Sequence, residues 1–457
     1  MNKKLKTAYV CGSCGQDYSK WHGKCDNCGV WDSITEIKVA KNASRSDKSS
    51  ALHSENQPVA LSSCIASSAI RKISKFSDVD RVLGGGLVAG GFVLLAGDPG
   101  IGKSTLLLQL MAQWGESGAK VLYVSGEESA EQIMMRAHRL GTDKAPLDIL
   151  TETDIEHLLT VLSNHKPQII VIDSIQTMFT STLESAPGSV SQIRECAAML
   201  LRYAKTENAA VLLIGHVTKE GGIAGPRVLE HMVDTVLQFE GDGRLNYRIL
   251  RSIKNRFGPA GEIALLTMND SGLSETANAS EFFLMNRESP QTGTSIAAVL
   301  EGTRVLVIEL QALVARSHFG MPQRVVSGIN PRKLSLLLAV TEKYGGISMG
   351  DHDVFFNIAG GLSVSEPAAD LAIAAALFSS FRNKPLRKDL AFIGEIGLGG
   401  EIRHVNNMPS RLKELAALGF KECILPVSSK SADSKSPRLD MKLIPCSRVN
   451  DIQDLLF

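Results

Sequence analysis

The segment Phe92-Val-Leu-Leu-Ala-Gly97-Asp98-Pro99-Gly100-Ile101-Gly102-Lys103-Ser104-Thr105-Leu-Leu-Leu-Gln-Leu-Met constrains the fold of this chain more than any other stretch. Its apolar start reads as a strand, the loop that follows has the spacing Gly-x-x-x-x-Gly-Lys-Ser, and an apolar helical run begins at once. Glycines 97, 100 and 102 let successive backbone N–H groups turn inward around a phosphate, and the next helix points its positive N-terminus at the same charge. Lys103 is expected to reach the β- and γ-phosphates and the Ser104 hydroxyl to ligate Mg²⁺. A glycine-rich loop alone would be weak; a strand before it and a helix behind it make Gly97–Thr105 a specific signal for ATP.

At 457 residues the chain is too long for one core, and two or three domains are expected. A hydrophobic content of 44% with 21% charged residues is ordinary for a soluble globular protein. The net charge of +1 gives no global footprint for nucleic acid, so such binding has to come from local patches. Apolar runs stay well short of the roughly 20 residues of a membrane helix. The basic start Met1-Asn-Lys-Lys-Leu-Lys is followed by cysteines where a signal peptide would carry its apolar region, so a cytoplasmic protein with reduced thiols is expected.

Four of the eight cysteines lie in the first thirty residues. Cys11-x-x-Cys14, ten intervening residues and Cys25-x-x-Cys28 form the pattern of a four-thiolate Zn²⁺ site in two knuckles. Four protein thiolates close the site, so its role is structural; a redox dithiol pair is the runner-up and lacks the βαβ setting. Tyr18, Lys20, Trp21, His22 and Lys24 crowd the spacer, as they would in a surface for nucleic acid or protein, or in a miniature core. Residues 36–68, rich in Ser, Asn, Lys and Ala, read as a linker.

From 69 to 275, strands near 92–96, 120–124, 168–172, 210–214, 234–239 and 247–253 alternate with helical patterns, which implies an α/β fold with a mostly parallel sheet. From 276 to 457 the pattern restarts as a second α/β or α+β domain, with strands near 296–300, 304–310, 354–358, 390–394 and 422–425 and helices near 331–344, 366–380 and 409–419. Ile169-Ile-Val-Ile-Asp173 is an apolar strand ending in a carboxylate suited to the Mg²⁺ shell. Tyr123-Val-Ser-Gly-Glu127-Glu128 ends a strand in paired carboxylates; Glu127 is the preferred general base, and the bland alternative is that both favour a helix dipole.

With these elements in order, the lead-in Phe76-Ser-Asp-Val-Asp-Arg-Val-Leu-Gly84-Gly-Gly86-Leu-Val-Ala-Gly90 resembles that of RecA-type ATPases. More closely, the chain resembles the RadA/Sms family of bacterial recombination and DNA-repair proteins, through Lys254-Asn255-Arg256-Phe257-Gly258, the four-cysteine module and a C-terminal domain similar to that of Lon proteases. The resemblance covers nearly all of the chain. It implies that Lys254 and Arg256, on an exposed turn, reach the γ-phosphate of a neighbouring subunit. It further implies that the segments 177–188 and 219–227, Gly- and Ser-rich and read as flexible, face a ring channel, where Lys219 and Arg227 meet DNA phosphates. Ordinary surface loops are the alternative. Gln176 is a weaker candidate for sensing the γ-phosphate.

Against the Lon pattern, Ala368 stands where the nucleophilic serine belongs and Pro409 where its lysine belongs, so peptidase chemistry is not expected. Arg304, Arg316, Arg324, Arg332 and Lys333 are weaker candidates for DNA-facing charge. The resemblance implies a DNA-dependent ATPase with a RecA-like core that assembles as a ring, a hexamer by expectation. It would translocate on single-stranded DNA, with the RecA recombinase as partner, and drive branch migration of recombination intermediates. Two other classes stay open: a nucleotide-switched DNA-binding accessory protein, and an ATP-dependent protease or unfoldase.

Overall fold

Alternate residues of the strand Phe92–Gly97 bury their side chains on opposite faces of one sheet, and both sets are apolar. Val93 and Leu95 pack with Leu106, Leu110, Met111 and Trp114 of the helix Lys103–Glu116. Phe92 and Leu94 pack with Leu158 and Leu162 of Ile155–His165 and with Ile193, Cys196 and Leu200 of Val190–Glu207. A strand covered on both faces needs a continuous apolar run, which is why the sequence shows no polar alternation here. Each large side chain so buried contributes about 1.5–3 kcal/mol.

The computed structural model describes residues 5–11, 17–18, 20–26, 29–31, 34–40, 71–216, 226–241, 247–276, 280, 284, 289–317, 321–427 and 440–457. The chain divides into two units, Met1–Glu275 and Thr276–Phe457. In the first, a nine-stranded sheet runs in the order Gly272–Glu275, Ile263–Asn269, Tyr247–Asn255, Thr235–Glu240, Phe92–Gly97, Ala210–His216, Ile169–Asp173, Val121–Ser125, Asp148–Thr151. The last six are mutually parallel, and the first three add an antiparallel edge. This is the α/β architecture with a mostly parallel sheet expected from the alternation of elements. The carboxyl ends of the parallel strands lie on one edge, the usual place for a ligand in such sheets.

Three differences from the sequence reading have physical causes. The strand Ile34–Ala40 pairs along its length with Leu5–Cys11, so residues 36–40, assigned by composition to the linker, belong to the cysteine module's three-stranded sheet. The pentapeptide is only partly a turn, because Lys254 and Asn255 complete the strand Tyr247–Asn255. The segment after Asp173 is also held rather than free. Gln192 Oε1 accepts from Thr180 N at 2.8 Å, its Nε2 donates to Ser185 O at 2.9 Å, and Phe179 N donates to Thr153 O at 3.0 Å.

The second unit carries a seven-stranded sheet in the order Arg324–Val326, His352–Ile358, Arg304–Arg316, Thr294–Glu301, Leu390–Phe392, Glu422–Pro426, Lys442–Cys446. The helix Asp370–Arg382 is buried over ten of its residues, with Ala368 fully buried just before it. Pro409 sits in the first turn of Met408–Ala417, where its missing N–H costs nothing. Close behind it in the same helix, Arg411 is fully buried. Its Nη1 donates to Ala298 O at 2.7 Å and Glu366 at 3.0 Å, its Nε donates to Asn406 O at 2.9 Å, and its Nη2 bonds the second Glu366 oxygen. Removing one partner of such a pair strands the other in a dry interior. Arg411→Ala should therefore lower this unit's stability by about 3–5 kcal/mol. The check is its denaturant midpoint; an unmoved midpoint would show that Glu366 is neutralised in some other way.

Candidate nucleotide site

Four parallel strands deliver side chains to one edge of the first unit's sheet. Phe92–Gly97 leads into the glycine-rich loop, where Gly100 (φ 76°) and Gly102 (φ 114°) adopt the left-handed backbone that closes it. The helix Lys103–Glu116 starts directly behind the loop. Lys103 is only 4% exposed. Its ammonium donates to Gly97 O and Asp98 O, both at 2.8 Å, and lies 3.2 Å from His216 Nδ1. Burial lowers its pKa, while Asp173, Asp98 and Glu127 pull it back up. An ammonium has three donors and no acceptor, so His216 Nδ1 is the acceptor and Nε2 carries the ring proton when the imidazole is neutral.

His216 closes the strand Ala210–His216, and its Nε2 faces Glu127 Oε1 at 3.6 Å, beyond hydrogen-bond range. Glu127 Oε1 in turn accepts from Ser174 Oγ at 2.6 Å. Glu128 points elsewhere: it forms an ion pair with Arg136, and its backbone N–H donates to Ser125 Oγ at 2.9 Å. Of the two carboxylates, only Glu127 is brought to the cluster around Lys103.

Asp173 ends the strand Ile169–Asp173 and is 7% exposed. Its Oδ2 accepts from Tyr123 Oη at 2.5 Å. Burial first, and then the Asp173 charge, hold that phenol well above its ordinary pKa, so it stays a neutral donor. Tyr123 thus orients one of the two groups expected to share a divalent cation. Gln176 Oε1 is buried and lacks a hydrogen-bond partner among the described residues. A loop closed by left-handed glycines, a buried ammonium, and the Ser104 hydroxyl with the Asp173 carboxylate together suit a magnesium-bound triphosphate.

Lys254 and Arg256 lie elsewhere. Tyr247–Asn255 runs antiparallel to Thr235–Glu240, with Asn255 opposite Thr235, whereas Phe239 lies beside Gly97. Arg256 N donates to Asp234 O at 3.1 Å, and Asp234 N donates to Phe92 O at 2.8 Å. Both cations therefore emerge where Phe92 begins, roughly 15–20 Å from the phosphate loop of the same chain at about 3.3 Å per residue. Lys254 Nζ donates to Glu230 O at 2.6 Å and Val233 O at 2.8 Å. Arg256 Nη1 lies 3.3 Å from Asp234 Oδ1, and Asp234 Oδ2 also takes Lys205 Nζ at 2.6 Å. The turn leans on the lead-in: a Cβ at Gly84 would sit 2.9 Å from Phe257 O, and Asn255 Nδ2 donates to Val82 O at 3.1 Å.

In the cysteine module, Cys11 and Cys25 are fully buried together with Ile34. Tyr18 Oη accepts from Asp26 N at 2.8 Å and lies 3.2 Å from Cys25 Sγ, leaving its own hydrogen for the sulfur, as suits a metal-bound thiolate. Cys14, Cys28 and Lys219 fall outside the described residues; Arg227 lies on the short helix Pro226–Glu230, with its side chain likewise outside them. No helix among the described residues is long and apolar enough to cross a membrane.

Comparison with known proteins adds three domain matches: an AAA domain over residues 57–222, subunit ChlI of Mg-chelatase over 314–429 and a rubredoxin metal-binding domain over 9–36. Whole-length relatives are also present. DNA repair protein RadA of Bacillus subtilis is 46% identical over 440 residues, covering 96% of each chain. The RadA proteins of Haemophilus influenzae and Pseudomonas aeruginosa are each 46% identical, covering 99% of this chain and 98% and 99% of their own. Among solved structures, one ATPase domain is similar over 45% of this chain and 90% of its own, at 16% identity and a TM-score of 0.40, too distant to add to the argument.

Proposed function

Because the chain belongs to the RadA family of DNA repair proteins, we propose that it is a DNA-dependent ATPase of recombination and repair, working as a ring on single-stranded DNA. The observation that carries the ring is the separation within one chain: Lys254 and Arg256 stand a strand's length from their own phosphate loop. Cations placed there can serve a γ-phosphate only if a second subunit presents it, which ties hydrolysis to assembly. Head-to-tail contacts of this kind close into rings when the rotation allows, and the family resemblance makes that ring a hexamer.

In this reading Lys103 and the loop amides hold the phosphates, and Ser104 and Asp173 would hold Mg²⁺, which would supply positive charge against the triphosphate. Glu127 accepts the proton of the attacking water, with Ser174 fixing its carboxylate. His216 spans Lys103 and Glu127 and so lies where a change at the γ-phosphate is felt. Lys219 and Arg227 follow His216 in the sequence, and they are the charges assigned to DNA phosphates in this reading. Zn²⁺ is the natural occupant of Cys11, Cys14, Cys25 and Cys28. The second unit is a Lon-like scaffold without peptidase chemistry, since Ala368 offers no hydroxyl and Pro409 no amine. Branch migration with RecA is the work this motor would do, in the cytoplasm.

The test is ATP turnover with and without single-stranded DNA. Stimulation of about tenfold or more is expected if DNA completes the ring interface, by analogy with completion of a site in trans. Flat turnover, with DNA bound only when ATP is present, would replace the motor by a nucleotide-switched accessory protein.

A further inference from the structure

The first unit's cysteine module carries two side chains that the motor reading leaves unused. Trp21 is 58% exposed and Trp31 69%, whereas Trp114, the third tryptophan of the chain, is fully buried. Neither belongs to the module's own small core, which gathers Cys11, Cys25, Ile34, Tyr9 and Tyr18. The two indoles flank one glycine: a Cβ at Gly23 would meet Trp21 at 3.6 Å and Trp31 at 3.8 Å. Trp31 is held by a β-bridge to Lys24, next to the bonds Cys25 N to Val30 O at 3.0 Å and Gly29 N to Cys25 O at 2.8 Å. Lys24 Nζ lies 5.6 Å from the Trp31 ring centroid, and Lys20 is exposed one residue before Trp21.

We propose that Trp21 and Trp31, with Lys24 between their positions in the chain, form a stacking platform for the bases of single-stranded DNA. The proposal rests on the DNA reading above and adds a contact outside the motor. Size favours bases over a protein partner. Two indoles exposed to this degree offer roughly 300 Å², well below the roughly 800 Å² per partner that a stable protein interface buries. Aromatic faces accept any base, and a nearby ammonium adds attraction for the backbone. The β-bridge between Lys24 and Trp31 fixes the backbone that carries the second ring before the ligand arrives, which reduces the ordering needed on binding.

Unlabelled oligo-dT should quench the tryptophan fluorescence of the full-length protein, since two of its three tryptophans lie on the platform. Trp21→Ala/Trp31→Ala should abolish the quenching and weaken binding of a labelled oligonucleotide by about tenfold or more. Its metal content and its ATP turnover without DNA should match wild type, which separates lost stacking from an unfolded module. Trp21→Phe/Trp31→Phe should keep most of the affinity while losing the signal. Binding to wild type without quenching, or undiminished affinity in the alanine variant, would overturn the platform and return this surface to a protein partner, leaving the motor reading intact. Failure of wild type to bind the oligonucleotide at all, with no DNA-stimulated turnover, would overturn both.

Discussion

Lys103→Ala is expected to abolish ATP hydrolysis, with turnover falling on the order of a thousandfold, the loss that follows removal of a preorganised charge from a developing anion. The expectation follows from where the ammonium sits. It is 4% exposed, its donors are aimed at two loop carbonyls and one imidazole nitrogen, and burial has already lowered its pKa. A cation held at that cost, with three replaceable acceptors, is poised for a stronger anionic one. The same geometry says the loss will not come from unfolding, because alanine removes a desolvated charge and leaves no carboxylate without a hydrogen-bond donor: Asp173 keeps Tyr123 and Glu127 keeps Ser174. Turnover and thermal melting measured side by side check this. Residual turnover above about a tenth of wild type would move the phosphate contact elsewhere in the loop.

That Gly97, Asp173 and Glu127 lie at or just past the ends of strands could be read from the sequence, because each follows directly from a local pattern: an apolar run that stops at a glycine or a carboxylate. Tyr123 and His216 could not. Tyr123 reads as one more apolar strand residue, and its role appears only when the sheet places Val121–Ser125 beside Ile169–Asp173. His216 reads as a polar residue after a strand; its contact with Lys103 depends on the parallel register that sets it beside Gly97. Composition misled where tertiary contacts decide. The Gly- and Ser-rich segment after Asp173 is held by Gln192 of the following helix together with the backbone bond from Phe179 to Thr153. The strand Asp148–Thr151 escaped notice because an edge strand with two exposed and two half-buried residues has little apolar signal.

Arg256→Ala should also cost on the order of 10³-fold in turnover, the usual contribution of a cation delivered in trans, and yet be rescued by a second inactive variant. Mixed with Lys103→Ala chains, Arg256→Ala chains supply intact phosphate loops, while the Lys103→Ala chains supply intact arginines. In a random equimolar ring about one interface in four unites the two, so turnover should return to roughly that share of wild type. Arg256 is the better finger of the two cations. Its side chain is 58% exposed, although the Asp234 carboxylate it meets is only 7% exposed. Lys205 stays behind on Asp234 at 2.6 Å, so departure of the guanidinium strands no buried carboxylate. Lys254 is anchored by two carbonyls, and burial lowers its pKa, which suits a residue that shapes the turn. Lys254→Ala should therefore be rescued less completely than Arg256→Ala in the same mixture. If mixing restored nothing, while each variant still assembled, the arginine would be acting within its own chain, which the strand register forbids unless the edge of the sheet unfolds.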